Sequence, residues 1–280
     1  MSLETPAREA VRRLLIIGGA GRMGQALVRA VRERPDMRLV AAIGSEGSAQ
    51  LGRDVGELAG IGAVGVVLAA DLSAVLTECD VAIDFSHPSA TAANLAACCA
   101  AGKPLLVCTT GHAVAMRQEL ERAAKHIALL VAPNTSLGIT LLLELVRQCA
   151  QVLPADFDAE ILESHHRAKT DSPSGTALAL GHVIAEARGL DFEHVGVRSR
   201  VTSDAPRREG EIGFAVLRGG DAIGDHTVIF AGSGEQLILG HRATDRAIFA
   251  RGALNAAAWL AGRPPGYYRM RDILLRNSSL

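Results

Sequence analysis

Leu14-Leu15-Ile16-Ile17-Gly18-Gly19-Ala20-Gly21-Arg22-Met23-Gly24 runs from an unbroken apolar stretch through a glycine-rich turn into a helical pattern. A short run with no polar alternation reads as a strand buried on both faces, which is the condition of a parallel sheet covered by helices. The glycines allow a sharp turn and a close approach of backbone to pyrophosphate, and the first turn of the following helix offers unpaired N–H groups to an anion. Strand, glycine turn and helix in that order are the context that a dinucleotide-binding fingerprint requires. The spacing reads equally as Gly19, Gly21 and Gly24 or as Gly18, Gly21 and Gly24; the plainer alternative is a turn that only packs a helix on a strand.

Outward from this turn, apolar runs alternate with alanine-rich helical stretches as far as Arg147. The pattern predicts strands over 14–17, 38–43, 65–68, 81–85, 105–107 and 127–131, with helices over 22–34, 89–101 and 113–126. Beyond Pro133 a long apolar helix over 138–152 leads into β-type segments at 158–163, 195–201, 212–217, 227–232 and 235–241, with Ser233-Gly234 as a hairpin turn. A helical stretch over 245–260 is apolar enough to pack back on the first domain. The expected fold is therefore α/β: an N-terminal Rossmann-type doubly wound parallel sheet, and a second α+β domain built on an open mixed sheet. Residues 1–134, completed by 245–280, form the expected dinucleotide-binding domain, and 135–244 the substrate-binding and oligomerisation domain.

Composition narrows the function. With 280 residues, 29 basic against 30 acidic, a net charge of −1 and 3% aromatics, the chain has no field to hold nucleic acid and little to stack on bases. No stretch approaches the roughly 20 apolar residues of a membrane span, and the charged start, Met1 to Arg13, is unlike a secretory signal, so a cytoplasmic protein is expected. Five cysteines without a C-x-x-C pair and nine histidines without an i, i+4 pair argue against a disulfide framework and a bound metal.

A second segment carries chemistry: Glu163-Ser164-His165-His166-Arg167-Ala168-Lys169-Thr170-Asp171-Ser172-Pro173-Ser174-Gly175-Thr176-Ala177-Leu178. Ser172 suits an N-cap and Pro173 a first helical residue, which would leave the amides of Ser174, Gly175 and Thr176 open to an anion. Gly175 would let a ligand carboxylate reach the backbone, and Thr176 adds a hydroxyl. His165, His166, Arg167 and Lys169 would surround the anion. Crowded cations lower one another's proton affinity, so a lysine here can donate where an arginine could not; Lys169 is one of only three lysines. A basic loop that merely caps a helix is the bland alternative. His182, His194, His226 and His241 have no comparable sequence neighbourhood and read as structural, and Arg198, Arg200, Arg207 and Arg208 read as a solvated loop.

Both segments, with Gly-Glu-Leu-Ala-Gly at 56–60, Asp-Phe-Ser-His-Pro at 84–88, Thr-Thr-Gly at 109–111, Ala-Pro-Asn at 132–134, Ile-Gly-Phe-Ala at 212–215 and Gly-Asp-His-Thr at 224–227, closely resemble the 4-hydroxy-tetrahydrodipicolinate reductase family over nearly the whole chain. The resemblance implies reduction of a cyclic imine dicarboxylate to tetrahydrodipicolinate by NADH or NADPH, in diaminopimelate and lysine biosynthesis. It implies His165 and Lys169 as acid–base residues, and His166, Gly175 and Thr176 as substrate-binding. It implies cofactor contacts from Gly18, Gly19, Ala20, Gly21, Arg22 and Met23, from Cys108, Thr109 and Thr110, and from Ala132, Pro133, Asn134 and Thr135. A homotetramer assembled through the second domain's sheet is also implied; closure across the Pro133 to Leu137 junction is expected from the two-domain architecture. Gly44-Ser45 stands where relatives often carry an acid and an arginine, which leaves NADH against NADPH open; Cys108 and Thr135 also depart from the usual residues. The rival readings are another two-domain dehydrogenase of an amino-acid precursor, or a nucleotide-sensing protein without turnover.

Overall fold

A computed structural model describes residues 11–200 and 205–274. Its principal elements in chain order are β1 (Arg12–Ile17), α1 (Arg22–Val31), β2 (Met37–Ile43), α2 (Val55–Leu58), β3 (Leu68–Ala69), α3 (Leu72–Val75), β4 (Val81–Asp84), α4 (Thr91–Ala100), β5 (Leu105–Val107), α5 (Val114–Ala123), β6 (Ala128–Val131), α6 (Leu137–Val152), β7 (Asp158–His165), α7 (Gly175–Ala187), α8 (Phe192–Val195), β8 (Gly196–Val197), β9 (Ile212–Arg218), β10 (Gly224–Gly232), β11 (Glu235–Ala243), α9 (Ala247–Leu260), β12 (Gly266–Tyr268) and α10 (Met270–Leu274). They form two compact units: the described residues up to Thr135 with those from Phe249 onward, and Ser136–Ile248.

The first unit is built on a seven-stranded sheet in the order β12-β6-β5-β4-β1-β2-β3, parallel throughout. Every residue of β4 and β5 is buried, which is why these strands carry no polar alternation. Leu15, Ile17, Ala82, Leu105, Val107 and Leu129 pack with Leu95 of α4 and Leu120 of α5 in one core. The chain leaves β1 towards β2 on one side and returns to β4 on the other, so the glycine turn after β1 lies where the strand order reverses, the place at which open α/β sheets bind ligands.

Three local expectations need correction. The strand expected over 65–68 is Leu68–Ala69, because Gly65 has φ +77 and belongs to a turn. The first helix stops at Val31 rather than running to Arg34, whose guanidinium pairs with Asp36 instead. The seventh strand, β12, has no counterpart among the expected strands; it becomes a strand by parallel pairing with β6.

The second unit holds a five-stranded mixed sheet in the order β11-β10-β7-β9-β8. Of the strand expected over 195–201 only Gly196–Val197 forms within the described residues, and Val201 lies outside them. Helices α6 and α7 share a core with the sheet's inward side chains, Ile161, Phe214, Val228 and Phe230 among them. Along β7 burial alternates, so Ala159, Ile161, Glu163 and His165 all face inward. The opposite face is open, and it exposes Leu162, Leu217 and Ile238 by 41%, 61% and 59%. The arginines read as a solvated loop are partly anchored. Arg200 pairs with Glu211, just before β9, at 2.6 Å and with Glu160 of β7 at 3.3 Å, and Arg207 reaches Glu160 at 3.1 Å.

Candidate active site

In the first unit the glycine turn is shaped by hydrogen bonds from Gly18 N and Gly19 N to Ile43 O, at 2.8 and 2.9 Å. Gly18 takes φ +86, a conformation that disfavours any side chain, and a Cβ there would also stand 2.7 Å from Phe85 O. Gly21 caps α1 in an extended conformation without a side-chain cap bond. No side chain of the cap therefore competes for the first-turn amides of Arg22 and Met23, which suits a pyrophosphate. The Gln25 amide donates to Ala20 O at 3.0 Å and ties the turn to the helix.

The other segments named for cofactor contact follow β5 and β6. Cys108 N donates to Asp84 O and Ala132 N to Val107 O, so both segments leave their strands at the same end of the sheet as the glycine turn. The Cys108 thiol is buried, and burial pushes its pKa well above the ordinary value, which favours the neutral thiol. Thr109 is buried; its Oγ1 lies 2.9 Å from Thr91 Oγ1 and 3.0 Å from His112 Nε2. Thr110 and Pro133 are exposed, and Asn134 is half-buried. Thr135 is 2% exposed with its hydroxyl donated to Phe249 O at 2.6 Å; that commitment is to the fold. Sequence reasoning passed over Asp84, fully buried, which accepts from Ser86 N at 2.8 Å and Asn94 Nδ2 at 3.0 Å and braces the crossing after β4.

In the second unit, β7 ends in His165 and the chain loops back into α7. The cap of α7 is Ser174, not Ser172: its Oγ accepts from Ala177 N at 3.2 Å. The amide of Ser174 is not open to a ligand either, since it donates to Glu163 Oε1 at 2.9 Å. That buried carboxylate selects which serine caps the helix. Gly175 is exposed and a Cβ on it would meet nothing within 4 Å, while its amide supports the Asp171 carboxylate. Thr176 and His166 are half-buried. The His166 amide donates to Ala222 O at 2.7 Å, which fixes the loop against the stretch before β10.

Glu163 has no exposed side-chain surface and accepts from His165 Nδ1 at 2.5 Å and from Arg218 through two nitrogens at 2.8 and 2.7 Å. Burial pushes the Glu163 pKa up, but Arg218, His165 and the Ser174 amide together overcome it and hold the carboxyl below its usual range. For His165 burial is the largest influence and lowers its pKa, with Lys169 and Arg218 acting in the same direction and Glu163 opposing them. The Lys169 ammonium pairs with Asp171 at 2.7 Å, while its charge lowers the proton affinity of His165. Its side chain is 21% exposed against 9% for His165, so it is the more accessible of the two.

His226 also has a neighbourhood that its sequence surroundings do not show. It stands opposite Glu163 on β10, its ring 5.1 Å from that of His165 and its Nε2 3.1 Å from Ser174 Oγ. Burial first, then the nearby His165 and His241, push its pKa down to about 4 against the opposing pull of Glu163 and Asp225. A histidine kept neutral in the folded chain binds fewer protons than its unfolded counterpart between these values. Its contribution is complete above the unfolded pKa of about 6.5 and is lost as pH falls from there towards 4, on the order of 3 kcal/mol in all. We expect the melting temperature to drop over that interval and the drop to shrink in His226→Gln; equal slopes in the two proteins would remove this account.

Among the described residues no group of three His, Cys, Asp or Glu could hold a metal, and no helix is long and apolar enough to cross a membrane.

A glycine turn at the switch point of a parallel sheet, with a cation-rich loop on a second mixed sheet, belongs to the two-domain oxidoreductases that bind a nicotinamide dinucleotide. Solved structures share this fold. An amine dehydrogenase from Mycobacterium smegmatis matches with a TM-score of 0.59 and 15% identity, over 93% of this chain and 95% of that one. A dipicolinate-bound dihydrodipicolinate reductase from Paenisporosarcina sp. TG-14 matches with a TM-score of 0.75 and 23% identity, over 92% and 97%. The chain belongs to the dihydrodipicolinate reductase family: the family's N-terminal domain matches residues 12–135 and its C-terminal domain residues 138–274. A 4-hydroxy-tetrahydrodipicolinate reductase from Pseudomonas fluorescens (strain SBW25) is 48% identical over 265 residues, 94% of this chain and 99% of the relative.

Proposed function

We propose that this chain reduces the cyclic imine dicarboxylate arising from 4-hydroxy-tetrahydrodipicolinate to tetrahydrodipicolinate, a step of diaminopimelate and lysine biosynthesis. The observation that carries the reading is the loop from His165 to Thr176, which brings a lysine, two histidines and the start of α7 together in a chain so close to a reductase of that name. A reduced nicotinamide, when bound, supplies hydride to the ring carbon conjugated with the imine. Protonation of the resulting enamine falls to the chain itself. Lys169 is the proton donor in this reading, being the more accessible of the two candidates and charged enough to stabilise developing negative charge. His166, Gly175 and Thr176 hold a carboxylate at the positive end of α7. The first unit's turn from Gly18 to Met23, with the segments 108–110 and 132–135, holds the cofactor.

Both NADH and NADPH serve in this proposal. At Gly44, where an acid would grip the ribose diol and repel a 2′-phosphate, a Cβ would stand 2.9 Å from Leu68 Cδ2, so a side chain there requires Leu68 to move. Following the oxidation of each cofactor with freshly generated 4-hydroxy-tetrahydrodipicolinate tests activity and preference together; no oxidation of either would end the proposal. The open apolar face around Leu162, Leu217 and Ile238 supports assembly as a homotetramer through this sheet, a reading that a monomer in light scattering would remove. The cytoplasm is the compartment we propose, and five free cysteines fit a reducing one.

A further inference from the structure

The geometry points to Glu163 as the positioning residue of this site: its carboxylate fixes His165 as the Nδ1–H tautomer, leaving Nε2 an acceptor turned towards the side-chain-free backbone of Gly224. The two residues share the inward face of β7 because they are two apart on one strand. Glu163 is wholly shielded from water and takes His165 Nδ1 at 2.5 Å, Ser174 N at 2.9 Å, and both terminal nitrogens of Arg218 at 2.8 and 2.7 Å. An ionised carboxylate can only accept hydrogen bonds, so the proton in the Glu163–His165 contact sits on Nδ1; burial, helped by Lys169 and Arg218, disfavours a second proton on the ring and leaves the lone pair on Nε2.

Arg218 makes such a carboxylate tolerable in the interior, since a buried charge needs a partner and fully used acceptor sites. On the far side of the ring, a Cβ at Gly224 would lie 2.9 Å from Nε2. Glycine there keeps that nitrogen clear. One carboxylate thus aims the imidazole and, through Ser174, holds the start of α7, so the histidine and the proposed diacid site share an anchor. At neutral pH His165 then accepts a hydrogen bond, and proton donation rests with Lys169. Glu163 acts through His165 and touches no ligand.

This inference rests on the proposed reduction, with His165 as a hydrogen-bond acceptor beside the Lys169 donor, and the experiment separates the two. Nitrogen-15 spectra of the full chain, with the His165 signals assigned by their loss in His165→Gln, are expected to show a protonated Nδ1 and an unprotonated Nε2 at neutral pH. In the double variant Glu163→Gln/Arg218→Gln, which removes both buried charges together, the tautomers should mix. There kcat should fall roughly 10- to 100-fold with little change in KM, the range over which outer partners act on a functional histidine, and Glu163→Asp should recover part of the loss. A wild-type spectrum with the proton on Nε2, or a folded double variant with unchanged kcat, would overturn the inference. Should the double variant not fold, the wild-type spectrum decides. Full turnover by His165→Gln would instead defeat the participation of His165 while leaving the tautomer result standing.

Discussion

Lys169→Arg lowers kcat by roughly 10²- to 10⁴-fold, the range over which a positioned acid acts, while KM for the diacid changes little. Arginine preserves the positive charge beside Asp171, which Lys169 pairs at 2.7 Å, so electrostatic attraction for a carboxylate survives. What it cannot do is give up a proton, because its pKa stays above about 12. The substitution therefore isolates acidity from charge. Lys169→Met, which removes both, should raise KM as well as lower kcat, and comparing the two variants by steady-state kinetics divides binding from protonation. Near-normal turnover of Lys169→Arg would show that the proton comes from another group.

Gly24→Ala carries the largest expected cost to stability. Its Cβ would stand 2.2 Å from Gly18 O and 2.7 Å from Gly19 Cα. Both are backbone atoms of the turn, so neither can rotate aside, and α1 must move off β1. Overpacking costs about 1–3 kcal/mol where side chains can yield; against backbone we expect the top of that range or beyond, and a melting temperature lower by roughly 6–12 °C in a chain of this size. Cofactor affinity should fall with it, because the same turn presents the helix amides. Gly47→Ala is the control, since a Cβ there meets nothing within 4 Å. Equal melting of the two variants would mean that the glycine turn is not closely packed.

The parts of this molecule that a sequence discloses are those whose physics is local. β4 and β5 are buried on both faces and therefore read as strands from composition alone. β7 to β11 alternate or are bounded by glycines, and the expected Ser233-Gly234 hairpin turn, with Gly234 at φ +86, joins Gly232 to its partner Glu235. By contrast, the three residues of β12 are all partly or largely exposed, and pairing with β6, not any pattern of their own, makes them a strand. The start of α7 is undecidable locally, because Ser172 and Ser174 are equally good caps. The choice is made by Glu163, 11 residues earlier.

The same limit applies to the site. His165, His166 and Lys169 cluster in one stretch and declare themselves. Arg218 lies 55 residues from Glu163, and His226 lies 52 from Ser174; each arrives through strand register, which no spacing rule contains. The histidine environment is therefore only partly legible: the neighbours that bear on the His165 proton are first Glu163, two residues before it, then Lys169 from the same loop, and only then Arg218, which arrives on the adjoining strand.

The sheet that opens with Arg12 is finished by Gly266–Tyr268, laid along β6 from the far end of the polypeptide. During synthesis the ribosome thus delivers the whole of Ser136–Ile248 before the missing edge of the earlier unit can be supplied. The first unit to begin is the last to be completed, and a nascent chain halted before Gly266 would hold an entire second lobe while β6 still presented bare peptide groups to the solvent.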